Sequence, residues 1–287
     1  MFLRHMTRLP EGIEAADTFE YVDEETGDVS ASAIEYRTDC PTLYPSRPLQ
    51  ISIEFDGDPV PDTLLGATVA RARRVVMVSN TAARVYTHCD PRDSAFIDQL
   101  AAFGFKDDDG LVRMRRHTSD GKRVTIPSGY TIIRDALMDS MEQKLFLERY
   151  NRLYGSAHSP EWLERYIGRD HFLRLMALGR TGIAGEVTVW VEDNIGVIGY
   201  VNTMRQYRRH GIASALITLA CDWFEQCGVH IAEVNLQEKI PYMADALTKL
   251  GFTQTSTLLR YPGIDCDPGS DEEMDFLDML RPAEDSD

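Results

Sequence analysis

A short basic turn with one glycine is the stretch of the sequence best suited to chemistry. It runs from Arg208 to Gly211 and passes directly into a segment that contains the small residues Ala213 and Ser214. The backbone amides at a helix N-terminus lack intrahelical acceptors and carry a partial positive charge, so they bind phosphate or pyrophosphate well. Gly211 has no side chain that would block the close approach of an anion. The turn therefore predicts a phosphate-binding loop.

A strand and a helix are predicted to hold this loop. The run from Ile195 to Asn202 is apolar and β-branched, which is typical of a buried strand, and it ends just before the turn. From Ile212 to Phe224 apolar residues recur at helical spacing along one face, and Cys227-Gly228 ends the pattern. The order of strand, basic turn and helix leaves the loop amides open to an anion.

Two motifs resemble those of one family. The spacing Arg208-x-x-Gly211-x-Ala213 resembles the coenzyme A pyrophosphate loop of the GCN5-related N-acetyltransferase (GNAT) superfamily. Lys249-Leu250-Gly251-Phe252 resembles the Lys-Leu-Gly-Phe that closes the acyl-CoA site of the same family. The motifs occur in the family's order and at its spacing, and the resemblance covers residues 129–262. It implies that the chain binds acetyl-CoA and transfers its acyl group to an amine.

The resemblance also implies where each part of acetyl-CoA lies. The loop would hold the pyrophosphate, and the end of the preceding strand would lie beside the thioester. One backbone amide there would polarise the carbonyl as negative charge develops. Of Tyr200 and Asn202, only one is expected to face the site, and Asn202 is the catalytic candidate. The implied cofactor-binding residues are Val201, Thr203, Arg208, Arg209, His210, Gly211, Ile212, Ala213 and Ser214.

Acyl transfer needs a neutral amine. A lysine-like amine, with a pKa of ~10.4, is mostly protonated at neutral pH, so a general base would assist the reaction. Glu192, at the end of the preceding predicted strand, is the first candidate for this base, and Glu186 and Glu233 are alternatives. Each of these carboxylates is also compatible with a solvated surface group.

The general acid departs from the family pattern. Many members have a tyrosine four residues before the glycine of the Gly-Phe pair, and Leu247 occupies that position here. Ile240 stands where an asparagine is common. Tyr242, on the same predicted helix, is the remaining candidate for the acid. The resemblance therefore supports acetyl-CoA binding more strongly than it supports any one proton-transfer residue.

The two halves of the chain share a pattern that indicates an internal duplication. Phe103-Gly104-Phe105 and Leu250-Gly251-Phe252 each end a predicted helix and precede a predicted strand, but only the second half has the glycine-basic loop. The sequence thus predicts an α/β (α+β) fold of two acyl-CoA N-acyltransferase-like domains, each a mixed twisted sheet flanked by helices. The predicted ranges are a degenerate domain at 1–126, an acetyl-CoA-binding domain at 127–263 and an acidic tail at 264–287.

Composition argues against several classes of function. The formal net charge of −16 disfavours nucleic acid as a partner, and it is compatible with a cationic acceptor or with plain solubility. The sequence contains neither a run of ~18 apolar residues nor the apolar core of a signal peptide, so no membrane segment is expected. The five cysteines show no Cys-x-x-Cys spacing and the seven histidines are scattered. We therefore expect free thiols in a reducing cytoplasm and no metal.

These observations predict a cytoplasmic N-acetyltransferase, either monomeric or homodimeric. A small-molecule or peptide amine would attack acetyl-CoA directly in a ternary complex. No acyl-enzyme is expected, because no cysteine lies in the site motifs. Two alternatives stay open: a non-catalytic acyl-CoA sensor or scaffold, and an aminoacyl or peptidyl transferase on a tandem fold.

Overall fold

The computed structural model describes residues 1–269, except for the side chains of Pro241 and Tyr242. These residues form two compact units that alternate along the chain. The first unit contains residues 1–109, 153–155 and the described residues from 259 onward, and the second contains residues 110–152 and 156–258.

The elements follow one another as a mixture of strands and helices. The strands are β1 (Phe2–Arg4), β2 (Thr18–Val22), β3 (Val29–Asp39), β4 (Leu49–Asp56), β5 (Ala83–Thr87), β6 (Gly110–His117), β7 (Thr131–Asp135), β8 (Leu173–Gly179), β9 (Gly182–Glu192), β10 (Ile195–Thr203), β11 (Ile231–Gln237), β12 (Thr253–Arg260) and β13 (Gly263–Cys266). The helices are α1 (Asp62–Ser79), α2 (Ser94–Ala102), α3 (Ser140–Tyr154), α4 (Pro160–Ile167), α5 (Ile212–Gln226) and α6 (Pro241–Lys249). Single 3-10 turns occur at Ala15–Asp17 and Arg205–Tyr207.

The first unit is a six-stranded sheet in the order β1-β2-β3-β4-β5-β13. Strands β4 and β5 run parallel, and the other neighbours pair antiparallel. Helix α1 buries an apolar stripe that includes Leu64, Ala72 and Val76, and this stripe packs on Ile51 and Ile53 of β4 in one core. The helix forms because these apolar residues recur every three to four positions.

The second unit is a seven-stranded sheet in the order β12-β6-β11-β10-β9-β8-β7. Only the β10–β11 pair is parallel among the pairings described for this sheet. Helices α5 and α6 share one core with the sheet, in which Leu216 and Leu247 are fully buried. Helices α3 and α4 contact the opposite face, where the ring of Phe146 packs edge-on against Tyr200 and the Tyr166 hydroxyl lies 2.6 Å from Thr188 Oγ1.

The chain contributes strands to the two sheets out of sequence order. Strand β6, which the pattern predicts within a contiguous domain at 1–126, lies between β11 and β12 in the second sheet. Strand β13 pairs with β5 in the first sheet, although residues 264–266 are predicted to begin an acidic tail. The compact units therefore do not follow the contiguous ranges 1–126 and 127–263. The rest of the predicted tail, 270–287, lies outside the described residues.

Three further observations concern membrane spans, metal ligands and cysteines. None of the helices within residues 1–269 is both long and apolar enough to cross a membrane. In the same part of the chain, no three His, Cys, Asp or Glu side chains come together as a set that could hold a metal ion. All five cysteines are free thiols.

One carboxyl group in the first unit is buried without a hydrogen bond. Glu35 in β3 is 1% exposed, and neither of its oxygens has a hydrogen-bond partner among the described residues. Burial, reinforced by the nearby charge of Asp17, raises the pKa of Glu35 to about 8, against the opposing effect of Arg71 and Arg37. Both arginines form ion pairs with Asp17 instead.

We predict that Glu35 makes stability fall as pH rises. Its folded-state pKa lies above its unfolded value, so its contribution is fully present below pH ~4.5 and is lost by about pH 8. The slope is about 1.4 kcal/mol per pH unit in that window. Urea unfolding of the wild type and Glu35→Gln at pH 5, 6, 7 and 8 should show the wild type losing a few kcal/mol more than the variant. Parallel pH dependences for the two proteins would contradict this assignment.

Candidate functional site

The basic turn lies where β10 of the second unit ends and α5 begins. Gly211 is the residue before the helix and adopts φ +79°, a left-handed conformation that favours glycine. Residues 208–211 are exposed, whereas Ile212 is buried. Ile212 packs against Gly185 of β9, where an added Cβ would lie 2.9 Å from Ile212 Cγ2. The helix is thus anchored by its first apolar residue, and the turn before it stays open.

Aromatic contacts fix the turn to neighbouring elements. The Tyr207 hydroxyl lies 2.6 Å from Thr181 Oγ1 in the β8–β9 turn, and the Tyr207 ring covers Gly179. The ring of Tyr130 contacts Tyr207 edge-on with centroids 5.9 Å apart, and the Tyr130 hydroxyl lies 3.2 Å from His210 Nδ1. These contacts hold the turn from both ends, so its backbone is preorganised before any ligand binds.

The turn fits a pyrophosphate group. An added Cβ at Gly211 would meet no atom within 4 Å, so the space above the glycine is open. The first amides of α5, from Ile212 to Ser214, point out of the helix end without intrahelical acceptors. Arg205, Arg208 and Arg209 are exposed around them, and Arg208 Nε donates a hydrogen bond to the Thr203 carbonyl at 3.1 Å. The turn therefore combines free donors, positive charge and an unobstructed approach.

Strands β10 and β11 separate beside this turn. They pair only at three positions, Gly196, Val197 and Ile198 of β10. Beyond these, β10 continues along β9 as far as Thr203, while β11 continues along β6 as far as Gln237. The separation leaves an opening with residues 201–203 on one side and residues 235–237 on the other.

A glycine and a tryptophan account for this separation. The register between β10 and β9 shifts between Ile198 and Tyr200, so Gly199 forms a bulge. An added Cβ at Gly199 would overlap the ring of Trp190 and would lie 2.8 Å from the Tyr166 hydroxyl oxygen. The Arg169 guanidinium covers the same indole, with its carbon 4.0 Å from the ring centre. A glycine inside a strand run is the sequence signal that indicates such a bulge.

Tyr200 and Asn202 face the same side of the sheet, which corrects the prediction that only one of them can face the site. They are two residues apart on a strand, and their cross-strand partners are Thr188 and Glu186. Tyr200 is fully buried, and its hydroxyl donates to Glu186 Oε1 at 3.4 Å. Asn202 is half-buried at the edge of the opening. Of the two residues, Asn202 is therefore the one with access to a ligand.

Glu186 is committed to a buried ion pair. Arg149 Nε and Nη2 donate to its two oxygens at 2.9 and 3.1 Å, and Arg174 Nη1 lies 3.9 Å away. Burial is the strongest single influence and lowers the pKa of Arg149, but the hydrogen bond to Glu186 and the charge of Glu186, with smaller contributions from Tyr200 and Glu142, together raise that pKa above its ordinary value. A carboxylate that accepts a bidentate arginine contact is poorly placed to take a proton from an amine.

Glu192 lies away from the turn, contrary to its predicted role as the base. It pairs with Ile195, the first residue of β10, whereas the turn follows Thr203 at the other end of that strand. At ~3.3 Å per residue, eight residues of strand separate these ends by about 26 Å. The Glu192 side chain instead accepts a hydrogen bond from Trp190 Nε1 at 3.1 Å. The structure thus brings Asn202 to the turn, but not Glu192.

Helix α6 carries the two positions that bear on a general acid. Leu247 occupies the position of the family's tyrosine and is fully buried in the core of the second unit. It contributes apolar packing there and has no polar group to donate a proton. Tyr242 lies in the first turn of α6, and its side chain is outside the described residues.

Comparisons with known proteins indicate a family match for part of the chain and a shared fold. Residues 136–252 match the model of the acetyltransferase (GNAT) family. No curated protein matches the sequence. A GCN5-related N-acetyltransferase from Sphaerobacter thermophilus has a similar fold, with a TM-score of 0.51 and 16% identity over 92% of this chain and 85% of that one.

Two further solved structures share the fold. Eis1 from Mycobacterium abscessus gives a TM-score of 0.53 with 13% identity, covering 91% of this chain and 73% of its own. A protein from Enterococcus faecalis V583, described as a probable N-acyltransferase, gives a TM-score of 0.51 with 13% identity. The alignment covers 85% of this chain and 61% of that one. The predicted fold class, two mixed sheets flanked by helices, is confirmed.

We predict that the Gly199 bulge depends on the Trp190 ring. Gly199→Ala should lower the free energy of unfolding by ~1–3 kcal/mol, because the new methyl group overlaps the indole. In a Trp190→Ala background the same change should cost at least ~0.5 kcal/mol less. Gly66→Ala in α1 serves as the control, because its φ is not positive and an added Cβ would meet only Phe103 Cε1, at 3.7 Å. Additive effects of the Gly199 and Trp190 changes in urea unfolding would rule out the dependence.

Proposed function

We propose, from the match of residues 136–252 to the acetyltransferase (GNAT) family model, that the protein transfers an acetyl group from acetyl-CoA to an amine. The observation that carries the proposal is the open turn before α5 beside the opening between β10 and β11. A diphosphate and a thioester need such neighbouring sites: amide donors for the one, and strand edges freed from pairing for the other.

The second unit offers a group for each part of acetyl-CoA. The amides and exposed arginines of residues 208–214 would bind the pyrophosphate. Val201 to Thr203 would line the thioester end, where a freed backbone amide would polarise the carbonyl. The hydroxyl oxygen of Thr203 at this strand end is buried and has no hydrogen-bond partner within the described chain.

The reaction would proceed by direct attack. The nitrogen of a neutral amine adds to the thioester carbonyl carbon, the carbon–sulfur bond breaks, and coenzyme A leaves as a thiolate. Asn202 would orient the amine from the edge of the opening. A thiol with a pKa near the ~8.5 of cysteine is a fair leaving group, so water can protonate it. Tyr242 stays a candidate for this acid.

The amine would lose its proton to solvent. Among the described carboxylates, Glu186 is paired with Arg149 and Glu233 with Arg115, and Glu192 of β9 lies beside the start of β10, about 26 Å from the end of that strand. We therefore infer that none of the three is the base, and that the fraction of neutral amine sets the rate.

We predict that Gly211→Glu weakens coenzyme A binding at least tenfold. The new carboxylate would stand where the pyrophosphate is proposed to bind, and like charges in close contact repel. Gly211→Ala is the matched control, because it imposes the same strain at φ +79° without the charge. Calorimetry of both variants measures the difference. Equal affinities for Gly211→Glu and Gly211→Ala would refute the loop assignment.

We predict that the pH profile follows the acceptor and not a side chain. With a lysine-like amine, kcat/KM for thiol release should rise about tenfold per pH unit towards the amine's own pKa of ~10.4. An acceptor with an amine pKa of ~8, the value of an α-amino group, should level off near that pH. Glu192→Gln should leave both profiles unchanged. A plateau at one pH for both acceptors would point to a protein base instead.

A non-catalytic acyl-CoA sensor is the second candidate, and Leu247 is the observation that favours it. The residue at the family's tyrosine position is a fully buried hydrocarbon that cannot donate a proton. Tight binding of acetyl-CoA by calorimetry, together with no thiol release across a panel of amines, would select the sensor over the enzyme.

A further inference from the structure

Two arginines of β6 lie side by side on the face of the second sheet that α3 and α4 contact. Arg113 and Arg115 are two residues apart, so their side chains share a face, and Arg115 is the cross-strand partner of Glu233. Glu233 pairs in turn with Val197, the partner of Trp190, whose ring contacts Tyr166 of α4.

These arginines carry more positive charge than their partner neutralises. Arg115 Nε donates to Glu233 Oε2 at 2.7 Å, while Arg113 Nε lies 3.2 Å from Oε1 without a hydrogen bond. Within residues 1–269, Glu233 is the only carboxylate paired with either arginine. The arginine side chains are 33% and 35% exposed, whereas that of Glu233 is 9% exposed. One unit of positive charge therefore faces solvent.

A shortage of carboxylates does not explain this surplus. The chain has 46 acidic residues against 30 basic ones. Elsewhere in the same unit, buried Arg174 is matched by Asp135, Glu142 and Glu186. Because carboxylates are plentiful and are used in this way, two guanidinium groups that share one carboxylate indicate a place for an anion from outside the chain.

The pair adjoins the opening between β10 and β11. Arg113 is the cross-strand partner of Asn235, which is exposed at the level where β10 has already separated from β11. Neighbouring strands lie about 4.8 Å apart, so the Arg113 backbone is one strand from the edge of the opening and at least ~10 Å from β10, and its side chain extends to Glu233 of β11. An anionic group held there would keep the rest of the same molecule within reach of Asn202.

We propose that Arg113 and Arg115, with the amide of Asn235, form a carboxylate subsite for the acceptor. The acceptor is then an amine that also carries a carboxylate, with about 5–10 Å between the two groups. Guanidinium groups suit this role because their planar forks match the two oxygens of a carboxylate. This inference rests on the proposed function, since it places the reacting amine at the opening where the thioester would lie.

Two small molecules that differ only in charge test the subsite. 6-Aminohexanoate has an amine and a carboxylate, and 6-aminohexanamide replaces the carboxylate by a neutral amide. We expect the full chain, with coenzyme A present, to bind 6-aminohexanoate at least tenfold more tightly by calorimetry. Arg113→Gln should abolish most of this preference. Arg113→Lys should retain part of it, because the charge stays while the planar fork is lost.

Arg134→Gln is the matched control. Arg134 is an exposed arginine on β7 of the same unit, and its removal changes the net charge equally but should leave the preference intact. Equal binding of both molecules, binding of neither, or an unchanged preference in Arg113→Gln would overturn the proposal. If Arg113→Gln fails to fold by thermal unfolding, Arg113→Lys decides the question.

Coenzyme A affinity, measured on the same samples, separates the two levels of inference. If the wild-type protein does not bind coenzyme A, the proposed function itself is wrong. Normal coenzyme A affinity without a preference for 6-aminohexanoate would defeat the carboxylate subsite alone.

Discussion

The steric conflict between Trp190 and any side chain at position 199 is the constraint on which the candidate site depends. With the indole lying against the backbone of β10, only glycine fits at this position, and the strand bulges there. A bulge bends its strand and disrupts the local ladder, which fits the finding that β10 stays paired with β9 but pairs with β11 only as far as Ile198. The opening is thus a product of core packing, and the turn before α5 lies at its end because β10 stops at Thr203.

The carboxylates on the face of the sheet that α3 and α4 contact form structural ion pairs with arginines. Glu186 is fixed by Arg149, and Glu233 is fixed by Arg115, so each is a partner that compensates a buried or half-buried guanidinium. In the proposed reaction, an acceptor that enters this face would meet arginines already oriented by those carboxylates. These paired charges are therefore better suited to binding and aligning a substrate than to removing its proton. Solvent can remove that proton when the amine is only weakly basic.

The parts of this site that the sequence predicts are those set by neighbouring residues. The turn at Gly211 could be predicted because a left-handed glycine, basic residues and a helix start are contiguous, and this geometry is local. The sequence does not place Glu192 correctly, because its end of β9 pairs with the start of β10 and not with the end that precedes the turn. The sheet to which β6 belongs is not predicted, because the alternation of Val112 and Met114 with Arg113 and Arg115 indicates a strand but not its partner, which lies more than a hundred positions away.

The place of β13 determines when the first unit can finish folding during synthesis. Strand β5 obtains its outer neighbour only when Gly263–Cys266 have left the ribosome, although the other five strands of that sheet are made within the first 87 residues. At ~5–20 residues per second, the edge of β5 stays unpaired for roughly ten seconds or more while the second unit is being made. An exposed strand edge is a template for wrong partners, so the nascent chain must either tolerate that interval or have the edge covered by a chaperone.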